Sequence, residues 1–169
     1  GPQEERGRQA KGREASEVLG STIPDYNQSF GPKGKVNPIH HLIGTATGWG
    51  GNPAKDAIYL GGVMPANDGK TVYRLKVGDV PVKSFWSVSV YNADGYFQQN
   101  PYDAYSLNNL TAQKSADGSI VIQFGGCDGK IANCLPTTPG WNYTVRLYQP
   151  SDEILSGQWR FPTPQPVAL

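Results

Sequence analysis

The sequence predicts a mainly β chain, an antiparallel sandwich or barrel with a short helical N-terminal lead-in, and three observations carry that expectation. A strict two-residue alternation runs through Ser84 to Tyr91 and into the turn-forming run Asn92-Ala93-Asp94-Gly95. Four segments with β character, Thr71 to Val77, Ser84 to Tyr91, Ser119 to Phe124 and Trp141 to Tyr148, are separated by Asp-Gly, Pro and Gly breaks at the spacing of a sandwich. No heptad or internal repeat competes with this reading.

Taken in order, residues 1 to about 22 are polar and interrupted by glycine, with helical character only around Arg13 to Leu19. Pro24, Gly31-Pro32, Gly34 and Asn37-Pro38 then mark turns, and an apolar segment follows from His41 to Trp49. Asn52-Pro53 reads as the start of a short helical turn continued by Ala54 to Tyr59, since Asn caps a helix well and Pro is accepted at its first position. In the alternating segment, Trp86, Val88 and Val90 share one face while Phe85, Ser87, Ser89 and Tyr91 share the other. Gly95 supplies the positive φ a tight turn needs, and Tyr96 and Phe97 are expected to begin the return strand. The Pro-rich end, PTPQPVAL, has no periodicity and is expected either to wrap the surface or to be loose. The resulting division is a polar, partly helical extension over 1–39, a β domain over 40–163 and a tail over 164–169.

Composition narrows the function. At 169 residues the chain fits one domain with a self-sufficient core. A net charge of +1 without a long basic run argues against a nucleic-acid partner, whose phosphates demand clustered Lys and Arg. The Arg6, Arg8, Lys11 and Arg13 group alternates with Glu4, Glu5, Glu14 and Glu17, as on a solvated helix or tail. No apolar run approaches the roughly 20 residues that span a bilayer. Gly1-Pro2 has the form left by a tag-cleaving protease, so a natural signal peptide could once have preceded it.

Cys127 and Cys134 bracket Asp128-Gly129, a turn that could bring the thiols within bridging distance and would assign the protein to an oxidising, secreted or periplasmic compartment. The other reading is two unrelated thiols. Asn27, Asn109 and Asn142 each open a glycosylation sequon, a pattern that arises readily by chance.

Six blocks in order, GWGGNPAKDAIYLG (48–61), FWSVSVYNADGYF (85–97), AYSL (104–107), ADGSIVI (116–122), CLPTTPGWNYTVRLYQP (134–150) and ILSGQW (154–159), resemble the domain of unknown function 1214 family over about residues 40 to 163. The resemblance implies a jelly-roll-like β-sandwich preceded by a helical segment, often following a second domain in longer bacterial proteins, and implies no reaction. Where relatives carry Asn-Trp-Leu-Pro, this chain has Asn133-Cys134-Leu135-Pro136.

The alternation also sorts the polar residues. Opposite the apolar positions of the four β segments lie Arg74, Ser87, Ser89, Tyr91, Gln123, Thr144, Arg146 and Tyr148. Gathered on one sheet face, they would form a polar surface with aromatic rims, suited to a small polar, acidic or carbohydrate-like ligand through Arg forks and stacking rings. An antiparallel sheet also carries such a face simply where it meets water. Two other classes stay open. A metal-free hydrolase, lyase or isomerase would use Tyr91 or Tyr105 as acid or base with Arg146 holding an anionic intermediate. An assembly domain would bury Tyr96, Phe97 and Tyr102 against a second copy or another protein. The two histidines, His40 and His41, are sequence neighbours and point apart on an extended segment, so neither a metal site nor a metal cofactor is expected. No Gly-x-Ser-x-Gly elbow accompanies Ser87 or Ser89, and Gly48-Trp49-Gly50-Gly51 lacks the Lys-Ser/Thr of a phosphate loop.

Overall fold

The computed structural model describes residues 52–167 together with Val36. Its elements are β1 (Ala57–Gly62), β2 (Tyr73–Val77), β3 (Trp86–Tyr91), β4 (Ser106–Asn108), β5 (Ile120–Phe124), β6 (Cys134–Leu135), β7 (Asn142–Tyr148), α1 (Asp152–Leu155) and β8 (Gln165–Pro166). They form two four-stranded sheets, in the orders β1-β7-β3-β4 and β6-β5-β2-β8. The chain divides after Ile58 into two compact units, and β2 to β8 all belong to the second, Tyr59–Leu169.

The period-two pattern becomes two-sided packing through register. In the first sheet, Trp86 pairs with Leu147, Val88 with Val145 and Val90 with Tyr143, and all six are buried. In the second, Tyr73 pairs with Phe124, Leu75 with Ile122 and Val77 with Ile120, again all buried. A one-residue slip in either pair would turn an apolar set outward, so register is fixed by burial. Aromatic rings join the sheets. Phe124 of β5 stacks on Trp141 at 5.5 Å between centroids and tilts against Tyr143 of β7 at 5.7 Å, while Tyr73 of β2 meets Trp141 edge-on at 6.0 Å. The result is a mainly β, sandwich-like architecture.

All four expected strands form, each one or two residues shorter at its N-terminal end. Elsewhere the structure departs from the sequence reading. The helical expectation over 52–59 ends in a single turn, with the amides of Asp56 and Ala57 donating to the Pro53 carbonyl, and the chain then extends into β1. Burial of an apolar strand start outweighed the local cap. Gly61 in β1 passes so near β7 that a Cβ there would lie 2.1 Å from the Tyr143 carbonyl oxygen. The Asn92–Gly95 turn closes as expected, its Gly95 at φ 82°, and the Asn92 carboxamide oxygen accepts from the amides of Asp94 and Tyr96. Tyr96 and Phe97, however, leave the turn outside any strand, and the returning strand is β4.

Of the two readings of the Pro-rich end, its described residues follow the first: Gln165 and Pro166 pair with Arg74 and Tyr73, and the Val167 amide donates to the Val72 carbonyl. Proline is tolerated there because β8 is an edge strand. The second sheet is mixed, since β6 runs parallel to β5. The helical lead-in, His40 and His41, the 48–51 glycines and the basic N-terminal group lie outside the described residues. No helix among the described residues is long and apolar enough to cross a membrane.

Phe124 is fully buried against both sheets, so Phe124→Ala is expected to cost about 3–5 kcal/mol in urea unfolding; a loss under about 1 kcal/mol would contradict this packing. Three exposed carboxylates are held below their ordinary range. Asp117 is lowered mainly by its hydrogen bond from Lys76, then by Ser119, Asp68 by the amides of Thr71 and Lys70, and Asp128 by those of Lys130 and Ile131. A depressed folded-state value contributes stability above the unfolded carboxylate pKa and loses it as pH falls. Stability is therefore expected to be level near neutrality and to decline below about pH 4, as followed by thermal melts.

Candidate functional site

Register places the expected site residues. On the outer face of the first sheet, Ser87 lies opposite Arg146, Ser89 opposite Thr144 and Tyr91 opposite Asn142, so six of the eight expected residues, including Tyr148, share that face. Arg74 and Gln123 are register partners of each other in the second sheet. The single face expected from the sequence is thus two faces, because β2 and β5 pack their apolar sides toward the first sheet and turn Arg74 and Gln123 away from it.

The first face centres on Arg146. Its Nη1 donates to Ser89 Oγ at 3.1 Å and its Nη2 to Tyr91 Oη at 2.8 Å. Ser89 is 5% exposed, so its hydroxyl needs a partner, and the guanidinium supplies one. No carboxylate of a described residue pairs with Arg146. Two of its five N–H groups are engaged, and each accepting hydroxyl keeps its own hydrogen to donate. The cluster is therefore a donor surface carrying a positive charge. The Arg146 Cζ lies 6.0 Å from the Tyr91 ring centre, but bonding to the phenol oxygen sets it off the ring edge, so the hydrogen bond dominates over any contact with the ring face.

Rings border the cluster. After the Asn92–Gly95 turn the chain doubles back so that Phe97 stacks on Tyr91 at 5.0 Å and meets Tyr105 at 5.4 Å. Asn100 orders this loop, its oxygen accepting from the amides of Tyr102 and Ala104 and its nitrogen donating to the carbonyls of Gln98 and Ala104. The Tyr105 hydroxyl donates to Asp103. Tyr148, at the far end of β7, stacks on Phe85 at 4.4 Å. Phe97 is the site residue the alternation missed, since it lies beyond the last strand position and only the turn geometry brings it home.

On the second face, the Arg74 Nε donates to Gln123 Oε1 at 2.8 Å, and Gln123 Nε2 donates to the carbonyls of Gly125 and Gly126. Those glycines open the loop closed by a Cys127–Cys134 disulfide, whose Cα atoms are 5.7 Å apart. The bridged alternative is the correct one. The Asp128 carboxylate shapes the loop by accepting from the amides of Lys130 and Ile131. Tyr102 of the aromatic loop donates to the Cys127 carbonyl at 3.1 Å, tying the two loops together. Among the described residues, no group of three or more His, Cys, Asp and Glu could hold a metal ion.

Two packed sheets, with a hydrogen-bonded arginine on each outer face, form a β-sandwich-like domain. The chain belongs to the family described as a protein of unknown function (DUF1214), whose model matches residues 64–152, more than half of the sequence. The match takes in β2 to β7 and leaves the blocks at 48–61 and 154–159 outside. The crystal structure of the VPA0106 protein from Vibrio parahaemolyticus aligns over 95% of this chain and 43% of its own, at 22% identity and a TM-score of 0.72, a likeness of fold. An uncharacterized protein from Burkholderia cenocepacia aligns over 61% of this chain and 28% of its own, at 20% identity and a TM-score of 0.48. This chain therefore spans less than half the length of either solved structure. No curated protein matches it.

The bridge closes a short loop, with a sequence separation of 7. Reduction, or the paired change Cys127→Ala with Cys134→Ala, is expected to lower stability by about 2–3 kcal/mol in urea unfolding. Alkylation of the native protein without reductant should add no mass; two labels would contradict the bridge.

Proposed function

We propose that this domain binds a small, oxygen-rich ligand, acidic or carbohydrate-like, on the outer face of the first sheet. The carrying observation is the state of Arg146: a half-buried guanidinium held by Ser89 and Tyr91, two neutral hydroxyls, with no described carboxylate beside it. A cation positioned in this way has its orientation settled before a ligand arrives, which lowers the ordering cost of binding. Because the cluster offers donors and few acceptors, it favours carboxylate and ring-oxygen groups over amines. Phe97, 51% exposed, offers a flat surface beside it on which a sugar or planar ligand can rest. The Cys127–Cys134 bridge supports work in an oxidising compartment, secreted or periplasmic.

The test is titration calorimetry with glucuronate and with glucose at low ionic strength. Arg146→Ala is expected to weaken glucuronate binding by about ten- to a hundredfold, the worth of a charge-assisted hydrogen bond, while the variant still melts cooperatively as a folded protein. Glucose, lacking the carboxylate, should lose far less. Identical titrations for both proteins, or no heat with either sugar, would remove the basis of this reading.

A further inference from the structure

The second outer face carries a depression that the Arg146 reading does not use. It is open, about 290 Å³, at the small end of ligand clefts, and Arg74, Gln113, Lys114, Ser115, Gln123 and Ile131 help to line it. Its chemistry is uneven. Arg74 and Lys114 bring two positive charges, and neither pairs with a described carboxylate, whereas the neighbouring cation on β2, Lys76, is neutralised by Asp117 at 2.7 Å. Lys76 thus shows how this sheet disposes of a surface charge, and Arg74 is left out of that arrangement.

Arg74 is also aimed. Its Nε is held by Gln123 Oε1, and Gln123, only 4% exposed, has its own amide nitrogen fixed by the Gly125 and Gly126 carbonyls. The glutamine carboxamide is therefore fixed on its nitrogen side and holds the guanidinium with its oxygen. With Nε taken, the edge left to Arg74 is the one formed by Nη1 and Nη2, two parallel donors whose geometry matches the two oxygens of a carboxylate or a phosphate. The wall opposite is built as firmly. The Asn133 carboxamide accepts from the Gln113 amide and donates to the Gln113 and Val121 carbonyls, pinning the strand-edge loop that carries Lys114 to β5.

We infer that this depression is a second, independent binding site for a small molecule bearing an oxyanion group, seated end-on against Arg74 with Lys114 as the additional charge. Carboxylate and phosphate share that chemistry, and the geometry of a planar fork serves both.

The experiment is a titration of the disulfide-bonded protein, at low ionic strength, with succinate and separately with inorganic phosphate, following the side-chain N–H resonances of Arg74 and Gln123. Saturable shifts at both residues are expected with at least one of the two anions, and the better binder identifies the group. Arg74→Gln should weaken the effect by about tenfold or more, and Arg74→Lys, which keeps the charge and loses the fork, should fall between. Arg146→Ala should leave these shifts intact, which separates this site from the glucuronate test above. Arg74 is exposed but partners the buried Gln123 oxygen, so a thermal melt of each variant checks that the fold is kept. Linear, unsaturated drift shared by exposed lysines, equal behaviour of Arg74→Gln and wild type, or loss of the shifts in Arg146→Ala would each overturn the proposal.

Discussion

The contact of Phe124 with Trp141 and Tyr143 decides which way everything else points. These rings belong to strands or strand ends of different sheets, and among the described residues Trp141 and Phe124 are the two largest fully buried side chains. Once they face inward, alternation leaves no freedom to the rest: every second residue of β2, β3, β5 and β7 must look outward. The polar residues on those strands are thereby exported to two opposed surfaces rather than gathered on one. Arg146 and Arg74 are consequences of the same packing, seen from its two sides.

Each outer face then solves the problem of a half-sheltered or exposed arginine differently. Arg146 leans along its own sheet toward Ser89 and Tyr91, satisfying a buried serine hydroxyl without losing its charge. Arg74 is steered through Gln123 by backbone carbonyls at the root of the disulfide loop. The Tyr102 hydrogen bond to Cys127 joins the loop that seats Phe97 to that same bridged loop. The two faces therefore share a common support at one end, although the residues that would touch a ligand are separate.

Much of this arrangement was legible in the sequence, and the reason is the strength of the period. Trp86-Ser-Val-Ser-Val-Tyr91 and Asn142-Tyr-Thr-Val-Arg-Leu-Tyr148 alternate apolar and polar residues, so their strands and their apolar halves follow from residue order alone, while the shared face of Ser89, Tyr91 and Arg146 needs β3 to pair with β7. Which sheet a strand joins does not follow, because alternation is local and sheet partnership is set by contacts distant in sequence. That is why Arg74 and Gln123 could be seen to oppose an apolar side yet not be seen to belong to another face. The short strands escaped for a related reason. Ser106–Asn108, Cys134–Leu135 and Gln165–Pro166 are too brief to display a period and exist because a longer neighbour offers them its edge. In Ala57–Gly62 the Asn-Pro signal before the strand was real but local, and it yielded to burial after one turn.

The account stands on the sidedness imposed by the aromatic contact between the sheets, and nuclear Overhauser measurements on the native protein test it most directly. Ring protons of Phe124 should show strong cross-peaks to both Trp141 and Tyr143, those of Tyr91 to Phe97, and the Arg74 side chain to Gln123 with none to Ser89 or Tyr91. Cross-peaks joining the Arg74 and Arg146 side chains to one common set of neighbours, with Phe124 silent toward Trp141, would contradict it.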